Sequence, residues 1–259
     1  MITIINYCGN KMDKIITTSW DDGHPLDFRI AELLDKYDLK GTFYIPKKNP
    51  QNTVMSETDM AQLHHKFEIG GHTLNHVNLK KLDNSNLVHE INGSYCWLNE
   101  VTGVKPISFC PPFGAYNAAS LKIIYLAGFK VIRTTQLLSP DLLLPVNYTT
   151  LQLFNHSSYT YAKHLLIRGR VTDFKLWLYS GATSDMLNLI DYYLNYIDMN
   201  GGCFHLWGHS WEIEKFNLWK QLEIVFKHLS NRSEYSYMEN GQLSNHIKHQ
   251  NVNINNPNQ

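Results

Sequence analysis

The sequence predicts an α/β fold in which a parallel sheet closes, or nearly closes, into a barrel. Short apolar runs typical of strands alternate with segments of about 10 to 15 residues whose apolar side chains recur at helical spacing. Such alternation is typical of βα units and a parallel sheet. The chain has 259 residues, 43% of them hydrophobic, and this length suits one barrel around a single core.

The predicted strands are short and are separated by turn or capping signals. The first, KIITTS, is an apolar run that ends at two aspartates, and FEIGGH runs directly into a turn. In chain order the predicted strands are residues 14–19, 41–45, 67–72, 107–110, 129–135, 202–208 and a last short strand at 236–240. Residues 136–157 are predicted to be loop or a short strand.

The predicted helices follow from apolar periodicity and from residues suited to begin or end a helix. The first covers residues 26–38, where apolar side chains recur at helical spacing. Terminal signals flank the next three: Ser56 with Asp59 as a capping box for 57–66, Asp83 and Gly103 around a helix that runs to about 101, and Asn117 and Gly128 around the following one. Later helices are predicted at 159–167, 171–179, 184–198 and 215–229.

One domain is predicted, with a short additional segment at each end. Residues 1–11 are interpreted as an appendage or an overcalled start, because Met12 could be an internal start. Residues 12–249 form the single domain, within which no repeat or linker is recognisable. Residues 250–259 are polar and are predicted to be disordered.

Composition excludes several classes of partner. Lysine plus arginine equals aspartate plus glutamate at 23 each, so net charge gives no argument for binding nucleic acid or anionic membranes. No apolar stretch approaches the roughly 20 residues that span a bilayer, and the N-terminus lacks the layout of a signal peptide. The four cysteines are scattered, which favours a reducing compartment. A cytoplasmic location is therefore expected, whereas the oligomeric state is not predicted.

Two adjacent carboxylates, Asp21 and Asp22, follow the first predicted strand. Asp-Asp-Gly is also a common turn signal, so the pair indicates a functional site only if partner residues occur elsewhere in the chain. The other polar clusters likewise lie at or just after predicted strand ends: His72–His76, Pro111–Pro112 and His205–His209. In a (β/α) barrel the chemistry lies at the carboxyl ends of the strands.

His72 and His76 are four residues apart. On a helical turn this spacing would place both imidazoles on one face, able to bind one metal ion. In a chain with 13 histidines the two could also be unrelated. Two histidines with one carboxylate form a familiar catalytic zinc set, and the Asp21–Asp22 pair could supply both that ligand and a proton acceptor.

Four motifs in order resemble the polysaccharide deacetylase family, also called the NodB-homology domain or carbohydrate esterase family 4. The family's Thr-Phe-Asp-Asp-Gly is here Ser19-Trp20-Asp21-Asp22-Gly23, and its His-Ser/Thr-x-x-His is here His72-Thr73-Leu74-Asn75-His76. Its Arg-Pro-Pro-Tyr/Phe-Gly is here Cys110-Pro111-Pro112-Phe113-Gly114, and its closing strand ends at His209 in HLWGHSWE. The resemblance covers residues 14 to about 212.

This resemblance implies a distorted, incomplete (β/α) barrel and the removal of N-acetyl groups from an amino sugar in a glycan or glycan precursor, with release of acetate. It also implies one divalent metal ion, with zinc favoured and cobalt, nickel or iron open. Carried over to this sequence, the implied roles are metal ligands Asp22, His72 and His76, general base Asp21, acid His209, the oxyanion-hole N–H of Phe113, and substrate contacts from Phe113, Pro112 and Trp211.

The chain departs from the family at Cys110, where the third motif begins with an arginine that pairs with the catalytic aspartate. A further family motif, an Asp-and-Trp stretch near the acid histidine, is also not recognisable. Arg133 ends the strand after Cys110, and we predict that it replaces the missing charge beside Asp21; the alternative is an ordinary surface or helix-packing arginine. His205 and Trp207 are predicted to be buried core residues.

Two other functions remain open from the sequence. One is a barrel that binds carbohydrate without catalysis, for which Cys110 is the main support. The other is an amidase that acts on a small amide other than a sugar. The sequence does not identify the glycan.

Overall fold

The structure, a computed structural model, describes residues 13–246. The predictions for residues 1–11 and 250–259 lie outside the described residues. Strands occupy the following segments: β1 (Lys14–Asp21), β2 (Thr42–Ile45), β3 (Glu68–Gly71), β4 (Ser108–Phe109), β5 (Val131–Arg133), β6 (Val146–Asn147), β7 (Leu151–Gln152), β8 (Gly202–Gly208) and β9 (Ser236–Tyr237).

The helices alternate with the strands as far as β5, as predicted. They are α1 (Asp27–Lys36), α2 (Glu57–His64), α3 (Asn84–Thr102), α4 (Ala118–Ala127), α5 (Ser158–Ile167), α6 (Val171–Tyr179), α7 (Met186–Asn200), α8 (Ser210–Lys215) and α9 (Trp219–Leu229). In contrast, β6 and β7 follow β5 without an intervening helix, and α5 to α7 follow one another. No helix within residues 13–246 combines the length and the apolar character that crossing a bilayer requires.

All strand pairs are parallel, in the order β6-β5-β4-β3-β2-β1-β8-β7, and β9 also pairs with β1. Within the described residues no pairing joins β6 to β7, so the ring of strands stays open. The predicted distorted, incomplete (β/α) barrel is confirmed. Its open side lies between the edge strands β6 and β7.

The central strand β1 explains why the inside of the barrel is polar. Side chains alternate along a strand, so Ile16 and Trp20 face the helices, where Trp20 packs edge-on against Phe226 with ring centroids 5.8 Å apart. Ser19 faces the interior, and its Oγ lies 2.8 Å from Nε2 of the fully buried His205. His205 is therefore the hydrogen-bonded core residue that the sequence predicted.

Local capping signals explain where several helices begin and end. The capping box of Ser56 with Asp59 is present at the start of α2, and Asn117 forms another with Ser120 at the start of α4. The glycines that end α3 and α4 have positive φ, 71° for Gly103 and 115° for Gly128, which glycine adopts without a steric penalty.

The predicted helix over 215–229 is wrong at its start. The chain instead forms α8 directly after β8, breaks at Asn217, and resumes as α9. Asn217 has φ 54°, a left-handed conformation that asparagine tolerates better than most residues and that ends a helix. The additional helix α8 begins immediately after His209, which is its N-cap residue.

Candidate active site

The carboxyl ends of the strands meet at a cavity of about 430 Å³. Asp21 ends β1, His72 directly follows β3, and His209 directly follows β8. Seven of the nine predicted site residues line this cavity: Asp21, Asp22, His72, His76, Phe113, His209 and Trp211. The other two, Pro112 and Arg133, are buried and do not line it.

Asp22, His72 and His76 form a cluster of potential metal ligands. One ligand atom from each lies within 4.8 Å of the others, and all three side chains are buried. Oδ1 of Asp22 lies 3.0 Å from Nε2 of His76 and 3.6 Å from Nε2 of His72. Two imidazoles and one carboxylate form a set that can hold a metal ion and still leave one coordination position open.

Two further observations show that these residues fit a divalent metal ion. Nδ1 of His72 donates to the backbone carbonyl oxygen of Cys110 at 2.7 Å, so its Nε2 is left to accept or ligate on the side of Asp22. Oδ1 of Asp22 is buried, and although Nε2 of His76 lies 3.0 Å away, no group among the described residues approaches this oxygen with hydrogen-bond geometry. Buried polar atoms rarely lack partners, and a cation among the three side chains would satisfy this oxygen.

The two histidines are brought together by a loop after β3. The expected helical turn was wrong, because this segment is not helical and has positive φ at Thr73 (66°) and His76 (50°). The backbone N–H groups of Leu74 and Asn75 donate to a buried Glu90 oxygen at 3.0 and 2.9 Å. Glu90 therefore holds the loop in the conformation that points both imidazoles at Asp22.

The conformation and charge of Asp22 are both unusual. Asp22 has φ 80° and Gly23 has φ 63°, so a tight left-handed turn aims the Asp22 carboxylate into the cavity. Burial alone favours the neutral carboxyl, but contacts with His72 and His76 hold the pKa of Asp22 well below its ordinary value. Nε1 of Trp211 donates to the other carboxylate oxygen at 2.8 Å, which orients the group further.

Asp21 has a different set of partners from Asp22. Nη2 of Arg133 donates to Oδ1 of Asp21 in a buried ion pair. Sγ of Cys110 lies 3.8 Å from the other oxygen, and burial raises the pKa of the Cys110 thiol well above its ordinary value, which keeps it neutral. The positive charge beside Asp21 therefore comes from Arg133, which is fully buried and is not a surface residue.

Aromatic rings hold the Arg133 guanidinium inside the barrel. Its central carbon lies 5.0 Å from the ring centroid of Tyr44 and 4.8 Å from that of Trp207. Burial by itself lowers the pKa of Arg133, but the neighbouring Asp21 raises it above its ordinary value. Burial and the nearby Arg133 lower the pKa of His205 well below its ordinary value, so His205 stays neutral. Trp207 packs in this interior, as predicted.

His209 is paired with a carboxylate that the motif comparison did not single out. Its Nδ1 lies 2.5 Å from Oε2 of Glu212, and Nε2 of Gln152 donates to the same oxygen at 3.1 Å. Burial lowers the pKa of His209, but Glu212, together with the charges of Asp21 and Asp22, raises it overall above its ordinary value. The charged imidazolium is thus favoured at the end of the cavity that faces the two aspartates.

Phe113 contributes both a ring and a backbone N–H to the cavity wall. Its φ of 59° is left-handed, its side chain is 54% exposed, and its ring centroid lies 4.7 Å from that of His76. Its N–H has no hydrogen-bond acceptor within residues 13–246. An unpaired N–H beside the ligand cluster is available to an oxyanion.

Sequence reasoning missed Glu90 and Glu212. Glu212 follows His209 by three residues at the start of a helix, a spacing that brings two side chains together, so HSWE did carry a signal. Glu90 carried none, because its partners are backbone N–H groups of a loop whose conformation only the tertiary structure defines.

Comparison with known proteins supports the resemblance that the motifs predict. The sequence profile described as Polysaccharide deacetylase matches residues 9–132. The predicted resemblance to the polysaccharide deacetylase family is therefore confirmed over these residues. A peptidoglycan-N-acetylglucosamine deacetylase from Bacillus cereus is 28% identical over 126 residues, covering 48% of this chain and 44% of that protein. A chitin deacetylase from Pestalotiopsis sp is 27% identical over 137 residues, covering 50% of this chain and 44% of that protein.

Solved structures support the barrel over a larger part of the chain. The chitin deacetylase of the fungal pathogen Colletotrichum lindemuthianum matches with a TM-score of 0.57 and 13% identity, covering 90% of this chain and 88% of that one. At this identity the match shows the fold alone. The chain covers less than half the length of the two curated relatives above, and the family profile ends at Ile132. Arg133, His209 and Glu212 therefore lie beyond the profile.

Proposed function

We propose that this protein is a metal-dependent hydrolase that removes N-acetyl groups from an amino sugar in a glycan or glycan precursor. The observation that carries the proposal is the convergence of Asp21, the Asp22–His72–His76 cluster and His209 on one cavity. The resemblance to the deacetylase family supports amide hydrolysis, and relatives named for peptidoglycan and chitin support an N-acetylated glycan as substrate.

Asp22, His72 and His76 are the residues that would hold the metal ion. When bound, a divalent ion supplies Lewis acidity to an amide carbonyl and to water. The donor set of two imidazoles and one carboxylate favours zinc, and cobalt, nickel or iron also accept it. The indole N–H of Trp211 and the carbonyl of Cys110 orient two of the three ligands from outside the cluster.

Asp21 and His209 divide the proton transfers between them. Asp21 accepts a proton from water as the water oxygen forms a bond to the acetamide carbonyl carbon. The bond between that carbon and the sugar nitrogen then breaks, and His209 donates a proton to the departing amine. The products are acetate and the free amino sugar. The raised pKa of His209 suits a group that must begin protonated.

Arg133 and Phe113 support these proton transfers in different ways. The Arg133 guanidinium fixes the orientation of Asp21, and rigid positioning of a base is a large part of its catalytic value. The free N–H of Phe113 is suited to the oxygen that becomes negatively charged during attack. Because Arg133 provides the contact that Cys110 lacks, the main argument for a non-catalytic barrel is weakened.

Acetate release tests the proposal. Purified protein is supplied with zinc, and acetate is measured from N-acetylated chito-oligosaccharides, from peptidoglycan fragments and from a panel of small linear amides. Release from the glycans with loss of activity in Asp21→Asn is the expected result. Activity on the small amides alone would favour the amidase alternative. Saturable binding of the glycans without acetate from any substrate would favour the carbohydrate-binding alternative.

A further inference from the structure

A second cavity adjoins the candidate active site. Its volume is about 730 Å³, and its wall includes Tyr116, Gln136, Tyr148, Arg168 and Arg170. The first cavity, at about 430 Å³, falls at the small end of the usual range for ligand pockets, which is about 300–1,000 Å³. One sugar unit would occupy much of it, so a longer substrate needs an adjoining space.

Three segments of the chain pass from one cavity to the other. Phe113 lines the first cavity, and the next residue, Gly114, lines the second. Thr135 and Leu137 line the first, and Gln136 between them lines the second. Arg168, at the end of α5, lines both. The two cavities are therefore neighbouring parts of one groove.

The side chains of the second cavity are held in place by polar contacts. Nε2 of Gln136 donates to the hydroxyl oxygen of Tyr116 at 3.0 Å, and Nη1 of Arg170 donates to Oε1 of Gln136 at 2.8 Å. The Arg170 guanidinium lies 4.1 Å from the ring centroid of Tyr148 and pairs with Asp173. This wall presents aromatic and amide groups that are already ordered, as a subsite for a polar ligand requires.

Arg168 is a cation of this groove that has no partner among the described residues. Within the described residues it makes no hydrogen bond through its side chain and no ion pair, whereas Arg170 is neutralised by Asp173. Lys80 on the far wall likewise has no ion pair among the described residues. Burial, reinforced by Arg168 and Arg170, lowers the pKa of His164 to about 4. Asp141 is the remaining acidic group in the wall, and no residue within 13–246 pairs with it.

We infer that the second cavity binds the unit next to the N-acetylated sugar, and that Arg168 binds an oxyanion carried by that unit. The inference rests on the proposed function for the identity of the first unit. A guanidinium recognises carboxylate and phosphate through the same paired N–H donors. The substrate class is therefore an anionic N-acetylated glycan or glycan precursor, with either a sugar carboxylate or a phosphate beside the acetamido sugar.

The test compares matched pairs of anionic and neutral ligands by calorimetric binding to the full chain supplied with zinc. The carboxylate arm uses a hyaluronan tetrasaccharide and its methyl ester. The phosphate arm uses N-acetylglucosamine 1-phosphate and the methyl glycoside of N-acetylglucosamine. The variants are Arg168→Gln and Arg168→Lys. The matched control is Lys163→Gln, which removes an exposed charge from the same helix outside both cavities.

Arg168→Gln should weaken binding of one anionic ligand roughly 10- to 100-fold, as expected for a lost hydrogen bond to a charged group. Binding of its neutral partner should not change, Arg168→Lys should retain part of the affinity, and Lys163→Gln should bind as the unchanged protein does. The arm that responds identifies the oxyanion. Equal affinities for acid and ester and for phosphate and glycoside would overturn the inference, as would equal losses within both pairs. Absence of acetate release would contradict the proposed function without altering these binding comparisons.

Discussion

The two halves of the candidate site are built in different ways. The ligand half consists of Asp22, His72 and His76, which come from segments inside the family profile and lie close together as the motifs predict. The proton-transfer half consists of Asp21, held by Arg133, and His209, held by Glu212. Asp21 lies inside the profile, but its partner and the whole His209 pair lie beyond it.

The difference between the two halves shows that some residues of a barrel site must come from fixed positions, whereas others can come from more than one strand. Three ligands must lie at fixed distances from one ion, which ties them to the end of β1 and to the loop after β3. A guanidinium that orients a carboxylate only has to reach it. Because several strand ends face the same interior, the side chain of Arg133 on β5 reaches Asp21 on β1. Position 110 can therefore carry a cysteine.

The largest effect is expected in the ligand half. His76→Ala should remove both the bound metal and the activity, with a loss beyond the about 10⁴-fold upper value for losing a general base alone. Metal content by elemental analysis and acetate release are the two measurements. His89→Ala, an exposed histidine on α3 outside the cavity, is the matched control and should change neither. Full metal occupancy in His76→Ala would remove His76 from the ligand set.

Substitutions of the two adjacent aspartates should separate metal binding from proton transfer. Asp21→Asn should retain the metal and lose about 10²- to 10⁴-fold in kcat, because the general base is gone. Asp22→Asn should weaken metal binding first, and excess metal should restore part of its activity. The measurements are metal affinity and kcat for both variants. The opposite phenotypes would reverse the assignment of base and ligand.

Much of the fold and of the candidate site could be predicted from the sequence. The β/α alternation, the caps and the strand-end clusters are local patterns, and the incomplete barrel that they and the resemblance imply is confirmed. The contact of Arg133 with Asp21 was also predicted, because Arg133 ends the strand beside the one that leads to Cys110, the position of the family's arginine. The loop that carries His72 and His76 could not be predicted, since its conformation depends on hydrogen bonds that its backbone N–H groups donate to Glu90, which lies on α3.

Substitution of Arg133 tests the proton-transfer half, and its expected effect on kcat is smaller. Arg133→Gln should lower kcat about 10²-fold through misplacement of Asp21, with metal content unchanged. It should also lower the free energy of unfolding by about 3–5 kcal/mol, because a buried charge loses its partner. Kinetics and chemical denaturation measure the two effects.

A position exchange keeps this prediction falsifiable if Arg133→Gln folds poorly. The double variant Cys110→Arg with Arg133→Cys returns the guanidinium to the third motif, where the family carries it. If Asp21 needs only a guanidinium within reach, kcat of the exchanged protein should exceed that of Arg133→Cys alone. If instead all Arg133 variants that fold have normal kcat, orientation of Asp21 by Arg133 has no catalytic role.

The smallest effect is expected at Glu212, and it should appear as a change in pH dependence. His209 must be protonated to donate to the leaving amine, so activity is lost as pH rises through its pKa. Glu212 raises that pKa, so Glu212→Gln should lower it and move the basic limb of the pH–rate profile to lower pH. Activity near neutral pH should therefore fall, as the smallest of the effects expected here, while the rate at more acidic pH changes little. Glu100→Gln, an exposed glutamate on α3, should leave the profile unchanged. A uniform loss at every pH, with the basic limb in place, would mean that Glu212 orients the His209 ring without tuning its proton affinity.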